Sequence, residues 1–84
     1  MNLTPLETRV LGVIAMCHGL VPQEQLDEMD QLARAGEPGV ALENLATQLY
    51  EYDVAVDQGT LEEIEALSKV MGLDPKYWAR LVRV

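Results

Sequence analysis

Gly39-Val40-Ala41-Leu42-Glu43-Asn44-Leu45-Ala46-Thr47-Gln48-Leu49-Tyr50-Glu51-Tyr52-Asp53-Val54 decides how the rest of the chain is read. On a wheel of about 100° per residue, Ala41, Leu42, Leu45, Ala46, Leu49 and Tyr52 gather on one side. Glu43, Asn44, Thr47, Tyr50 and Glu51 take the other. An amphipathic helix opening at Glu37-Pro38 is the expectation, with its apolar side inward and its acidic, tyrosine-bearing side outward.

The flanks repeat this grammar. Upstream, Thr4-Pro5-Leu6-Glu7 is a capping-box pattern, and Leu6, Val10, Leu11, Val13, Ile14 and Cys17 form a broad buried face that stops at Gly19. Gly12 weakens that helix slightly. Val21-Pro22 opens a second helix, with Pro22 at its first position, acids Glu24, Asp27 and Glu28 in its early turns, and Leu26, Met29, Leu32 and Ala33 inward. Arg34 and Gly36 mark its end.

Downstream, residues 53–59 break the helical period and read as a short connector with Val54 and Val56 tucked in. Thr60-Leu61-Glu62-Glu63 looks like another capping box, followed by Leu61, Ile64, Leu67, Ser68 and Met71 at helical spacing, with Gly72 as terminator. Asp74-Pro75 then caps a last helix, Lys76 through about Val82, that packs through Tyr77, Trp78, Leu81 and Val82. The expected fold is all-α: a small bundle of about five short helices in one domain, residues 1–84. Val54–Val56 is the one stretch that could pass for a strand, and it has no second strand to pair with.

Charge narrows the function. The 84 residues carry six bases against fourteen acids, a formal net charge of −8. Twelve of those acids and a single base, Arg34, lie between Glu24 and Glu65. Such a field repels nucleic acid and an anionic membrane surface, and it favours a basic partner. It is equally compatible with simple solubility. The core must be built without Phe, from Leu, Val, Ile, Met and Ala. No basic leader segment opens the sequence, its apolar runs are too short to span a bilayer, and a cytoplasmic location is expected.

Nothing in the pattern suggests catalysis or a cofactor. Cys17 is the only cysteine and His18 the only histidine, so no disulfide or transition-metal cluster is expected. Neighbouring residues on a helix point about 100° apart, which prevents Cys17 and His18 from acting as a pair. Phosphate-cradling glycine loops, nucleophile elbows and calcium-loop spacing are missing too. Most acids, including Glu24–Asp30 and Glu62–Glu65, read as solvated helix faces. Glu51 and Asp53 differ. They load negative charge onto a helix C-terminus, where it is mildly unfavourable, beside Tyr50 and Tyr52. Tyrosine is a frequent interface anchor.

Glu37-Pro38-Gly39-Val40-Ala41-Leu42-Glu43-Asn44-Leu45 and Gln48-Leu49-Tyr50-Glu51-Tyr52-Asp53-Val54 resemble the central block of MafI-type immunity proteins. So do Glu62-Glu63-Ile64-Glu65-Ala66-Leu67 and Met71-Gly72-Leu73-Asp74-Pro75-Lys76-Tyr77-Trp78. The likeness runs from about Gly36 to Leu81 and leaves the first helix unmatched. It implies a cytoplasmic protein of a bacterial polymorphic-toxin or contact-dependent growth-inhibition system, not an enzyme. Such a protein binds the C-terminal domain of its cognate toxin, commonly a nuclease and often an RNase, and neutralises it. The inhibitory residues are not implied by the resemblance; they follow from charge. An RNase presents Lys, Arg or His to phosphate, so an acidic face can pair those groups and exclude substrate. The expected toxin-binding residues are Glu43, Thr47, Tyr50, Glu51 and Asp53, extended by Asp57 and Glu62. A small acidic adaptor module and a nucleic-acid mimic are the rival readings.

Overall fold

The computed structural model describes residues 2–83 and contains, among them, four α-helices rather than about five. They are α1 (Pro5–Met16), α2 (Gln23–Arg34), α3 (Pro38–Glu51) and α4 (Gln58–Val70). A 3-10 turn, Pro75–Tyr77, stands where the fifth helix is expected. The chain is mainly helical, and no helix among the described residues is long and apolar enough to cross a membrane.

The first helix begins as its sequence dictates. Thr4 Oγ1 accepts the Glu7 N–H at 3.1 Å and Glu7 Oε1 accepts the Thr4 N–H at 2.9 Å, the reciprocal capping box. Such a cap contributes about 0.5–2 kcal/mol. Pro22 falls one place earlier than expected, as the N-cap of α2. The fourth helix starts earlier as well. Asp57, not Thr60, is its N-cap, and Asp57 Oδ1 accepts the Thr60 N–H at 2.7 Å. Gln58 and Gly59 therefore belong to the first turn of α4 rather than to the connector. Thr60 is buried instead of capping.

The central helix α3 touches α1, α2, α4 and the 3-10 turn. Leu42, Leu45 and Leu49 are wholly buried, each burial being worth about 1.5–3 kcal/mol. Val10 and Val13 of α1, Leu26 and Met29 of α2, and Ile64 and Leu67 of α4 close around them. The inward face expected for α3 is thus correct apart from Tyr52. That residue is the C-cap, one place beyond the last helical turn, and it is exposed. The buried position after the helix is taken by Val56.

The connector and the tail also differ from expectation, for one shared reason. Val56 does have a strand partner. β1 (Ala55–Val56) pairs in parallel with β2 (Val82–Arg83), in the register Ala55 to Val82 and Val56 to Arg83. A segment drawn out to reach β1 cannot remain helical, so the tail makes one 3-10 turn and then extends. Leu81 is buried and Tyr77 and Trp78 are half-buried against the core. The side chain of Val82, expected in that packing set, lies outside the described residues.

Candidate functional site

The end of α3 gathers part of the expected acidic face and is built by a backbone motif that recurs in the fold. Val54 N–H donates to the Leu49 carbonyl at 3.0 Å, and Asp53 N–H to the Tyr50 carbonyl at 3.0 Å. These bonds form a Schellman cap, which needs a left-handed residue between them. Asp53 fills that position with φ +53°, the one non-glycine residue with positive φ among those described. A left-handed conformation costs an ordinary L-residue about 1–2 kcal/mol, and Asp and Asn tolerate it best.

The turn pushes Glu51, Tyr52 and Asp53 out together. All three are exposed, as is Tyr50. Ion pairs among the described residues join Arg9 to Glu63, Arg34 to Asp30 and Lys69 to Glu65, leaving Glu51 and Asp53 without one. Tyr50 is not a bare ring. The Arg80 guanidinium carbon lies 3.8 Å from its centroid, a cation–π stack that ties the tail to α3. Tyr52 Oη accepts from Gln25 Nε2 of α2 at 3.4 Å.

Glu43 and Thr47 occupy a different setting. Gly39, Glu43, Thr47 and Tyr50 follow one stripe of α3 at i, i+4, i+8 and i+11. The stripe meets the C-terminal segment at both ends. Leu73 and Met71 side-chain atoms lie 3.6 and 4.0 Å from where a Gly39 Cβ would be, and Arg80 covers Tyr50. Between these contacts Glu43 and Thr47 are half-buried, and Thr47 Oγ1 donates to the Glu43 carbonyl at 2.8 Å.

Asp57 and Glu62 belong to α4. Bonds from Thr60, with a smaller one from Gly59, hold the Asp57 carboxyl below the usual carboxylate range. Its charge also reaches the buried Cys17 thiol, which burial foremost pushes up to about 11. Asp57 thus works within the fold, between the ends of α1 and α4. Glu62 is exposed on α4. Its neighbour Glu63 takes both nitrogens of a fork from Arg9 of α1, at 2.7 and 3.1 Å, and is lowered by that bond.

One further feature was not anticipated from the sequence. Gln25, Glu28 and Met29 of α2 and Asn44 and Gln48 of α3 line a groove of about 250 Å³. Its trace in the sequence is the i, i+4 spacing of Asn44 and Gln48, two amides on the same helix flank that continues to Tyr52. A larger opening of about 560 Å³ lies between the start of α1 and the end of α2. There Thr4 and Glu7 are engaged in the capping box and Arg34 with Asp30. Among the described residues, no group of three or more His, Cys, Asp and Glu is placed to hold a metal ion.

The geometry is that of a small, mainly helical protein with an open acidic corner at the end of α3. In comparisons with protein-family models, curated proteins and solved structures, nothing matches this chain.

Proposed function

We propose that this chain is an immunity protein of the MafI type, which binds a basic toxin domain in the cytoplasm and blocks its active face. The resemblance of residues 36–81 supplies the class. The observation that carries the reading is the corner at the end of α3, where Glu51, Tyr52 and Asp53 stand exposed without a neutralising base among the described residues. Their carboxylates can pair the Lys and Arg groups with which a nuclease grips phosphate, while Tyr50 and Tyr52 add apolar area with polar tips. Glu62 widens the field. Glu43 and Thr47 are half-buried behind that corner, and Asp57 is engaged in capping α4.

The test has two arms. If the adjacent gene encodes a large secreted protein, co-expression with that protein's C-terminal domain should restore growth that the domain alone arrests. In purified components, E51K/D53K should lower the association rate by about tenfold and flatten its salt dependence. An unchanged rate, with full growth protection, would sink the assignment. A neighbouring gene of metabolic type, with stable binding to its product and no growth effect, would favour an adaptor instead.

A further inference from the structure

We infer that residues 74–83 form a strap that opens as a unit while the four helices stay folded, and that its opening uncovers the Glu43–Thr47–Tyr50 stripe of α3. The opening is a property of the chain alone. It rests on the reading above only for what the uncovered stripe then meets. The strap begins after the Gly72 cap of α4, touches α3 through the 3-10 turn and ends in β2. Leu73 at its root lies 3.6 Å from where a Gly39 Cβ would be, and Arg80 lies over Tyr50, so the strap brackets Glu43 and Thr47.

Three observations make the strap detachable. The first is where its hydrogen bonds go. The N–H groups of Tyr77, Trp78, Ala79 and Leu81 donate to the carbonyls of Asp74, Pro75, Pro75 and Trp78, and Lys76 N–H donates to the Asp74 carboxyl. All of these stay within the strap. The two-residue pairing of β2 with β1 ties its far end to the body, so opening breaks no backbone bond of α1 to α4. The second is how it is held. Lys76, Arg80 and Arg83 outnumber Asp74 in this segment of a chain of charge −8. Yet no ion pair among the described residues joins residues 74–81 to a helix. Rings hold it instead: Arg80 stacks on Tyr50, and Lys69 of α4 lies 5.6 Å from the centre of the Trp78 ring.

The third observation is fit. Leu81 is buried, but Tyr77 and Trp78 are only half-buried. Trp78 Nε1 is buried with no hydrogen-bond acceptor among the described residues, and a cleft of about 90 Å³ remains between Trp78, Ala79 and Leu81 and the α4 residues Leu61 and Glu65. An unmet donor and an unfilled seam both weaken the closed state. A segment with its own hydrogen bonds and few buried side chains opens well below global unfolding. Closed, the strap keeps Arg80 on the Tyr50 ring. Open, it frees the ring and the stripe, on the same helix as Glu51. It thereby gates how much of the acidic side of α3 a basic partner can use.

Native-state hydrogen exchange of the full-length chain in low urea tests the opening without any toxin. The Ala79 and Leu81 amides should exchange through an opening with a much smaller urea dependence than that of the Leu45 and Leu49 amides of α3. Arg80→Ala and Tyr50→Leu should each raise exchange at Ala79 and Leu81 about two- to fivefold, the worth of one exposed cation–π contact. Tyr50→Phe should stay near the parent, and the double variant should go little further than either single one. Ala33→Gly in α2 should speed Leu45 and Leu49 at least about fivefold and leave Ala79 and Leu81 unmoved. One shared urea dependence for strap and α3 amides would overturn the inference, as would strap amides that follow Ala33→Gly or ignore Arg80→Ala. A toxin domain whose growth arrest the chain relieves should leave Ala79 and Leu81 less protected than in the free chain; greater protection there would overturn the gating. The two proposals fail separately. Strap opening without growth rescue rejects the immunity reading alone, and rescue by a chain whose strap opens only on global unfolding rejects the strap alone.

Discussion

The ends of α2 and α4 make the same turn as the end of α3, with different residues. At the first, Glu37 N–H donates to the Leu32 carbonyl at 2.9 Å and Gly36 N–H to that of Ala33 at 3.3 Å. At the second, Leu73 N–H donates to the Ser68 carbonyl at 2.8 Å and Gly72 N–H to that of Lys69 at 3.2 Å. The left-handed positions there are Gly36 at φ +86° and Gly72 at φ +68°. The third copy of the motif puts Asp53 in the equivalent place. Stability alone favours glycine at all three. The exception falls where Glu51 and Tyr52 are also exposed, so the strained cap and the acidic corner are one structure. Departures of this kind concentrate where a chain is shaped for something besides folding.

The two glycine caps give the largest expected effect. Nothing lies within 4 Å of a Cβ built on Gly36 or Gly72, so an alanine there meets only the backbone penalty. Each substitution should cost about 1 kcal/mol once the lower chain entropy of alanine is offset against the left-handed strain. Gly36→Ala with Gly72→Ala should therefore lower stability by about 2 kcal/mol in urea unfolding. A loss near zero would mean that the left-handed conformation at Gly36 and Gly72 does not demand glycine.

The reverse substitution acts at the third cap. Asp53→Gly should raise stability by about 0.5–1 kcal/mol, visible as a rise in Tm of a few degrees. On the immunity reading it should slow toxin association as well, because one of the two unpaired carboxylates is gone. Greater stability with unaltered association would assign Asp53 no part in binding. Lower stability would show that its side chain, and not its tolerance of positive φ, holds the turn.

A smaller effect separates Asp53 from Asp57, four residues on. The Thr60 amide stabilises the ionised Asp57 carboxyl and keeps its folded pKa below the unfolded one. The stability linked to it is fully present above the unfolded carboxylate pKa, about 3.9, and is lost as pH falls through the folded value. Glu63, lowered by Arg9, acts in the same direction. Asp57→Asn should keep the cap, since Asn serves nearly as well, yet lose less stability than the parent between pH 5 and pH 2. Equal acid sensitivity in urea titrations would remove Asp57 from the list of fold-bearing carboxylates.

The acid-rich stretch around α3 therefore divides into three roles that its residues do not announce. Glu51 and Asp53 face solvent, Glu43 and Thr47 lie between the two contacts of the tail, and Asp57 caps the next helix. All five satisfy one wheel or one charge count equally well. What separates Glu43 and Thr47 from Glu51 and Asp53 is the course of residues 71–81, which depends on contacts far away in the chain, whereas Asp57 is set apart by its local bond from the Thr60 amide. The groove escaped notice for a related reason. Gln25 and Glu28 are ordinary surface residues of α2 until α3 places Asn44 and Gln48 opposite them.

The four helices, their inward faces apart from Tyr52 and most of their ends are written in local sequence. These follow from interactions between residues three to five apart: the Thr4–Glu7 box, the left-handed glycines and the leucine stripe of α3. The rest came from contacts between residues distant in the chain. The tail became a 3-10 turn and a strand because β1, some 27 residues earlier, offered it a partner, and so short a segment has too few turns to hold a helix against such a pull. Those contacts also decided which acids stayed open to a partner, since exposure at the end of α3 is what remains after the tail, the connector and α2 have taken their places.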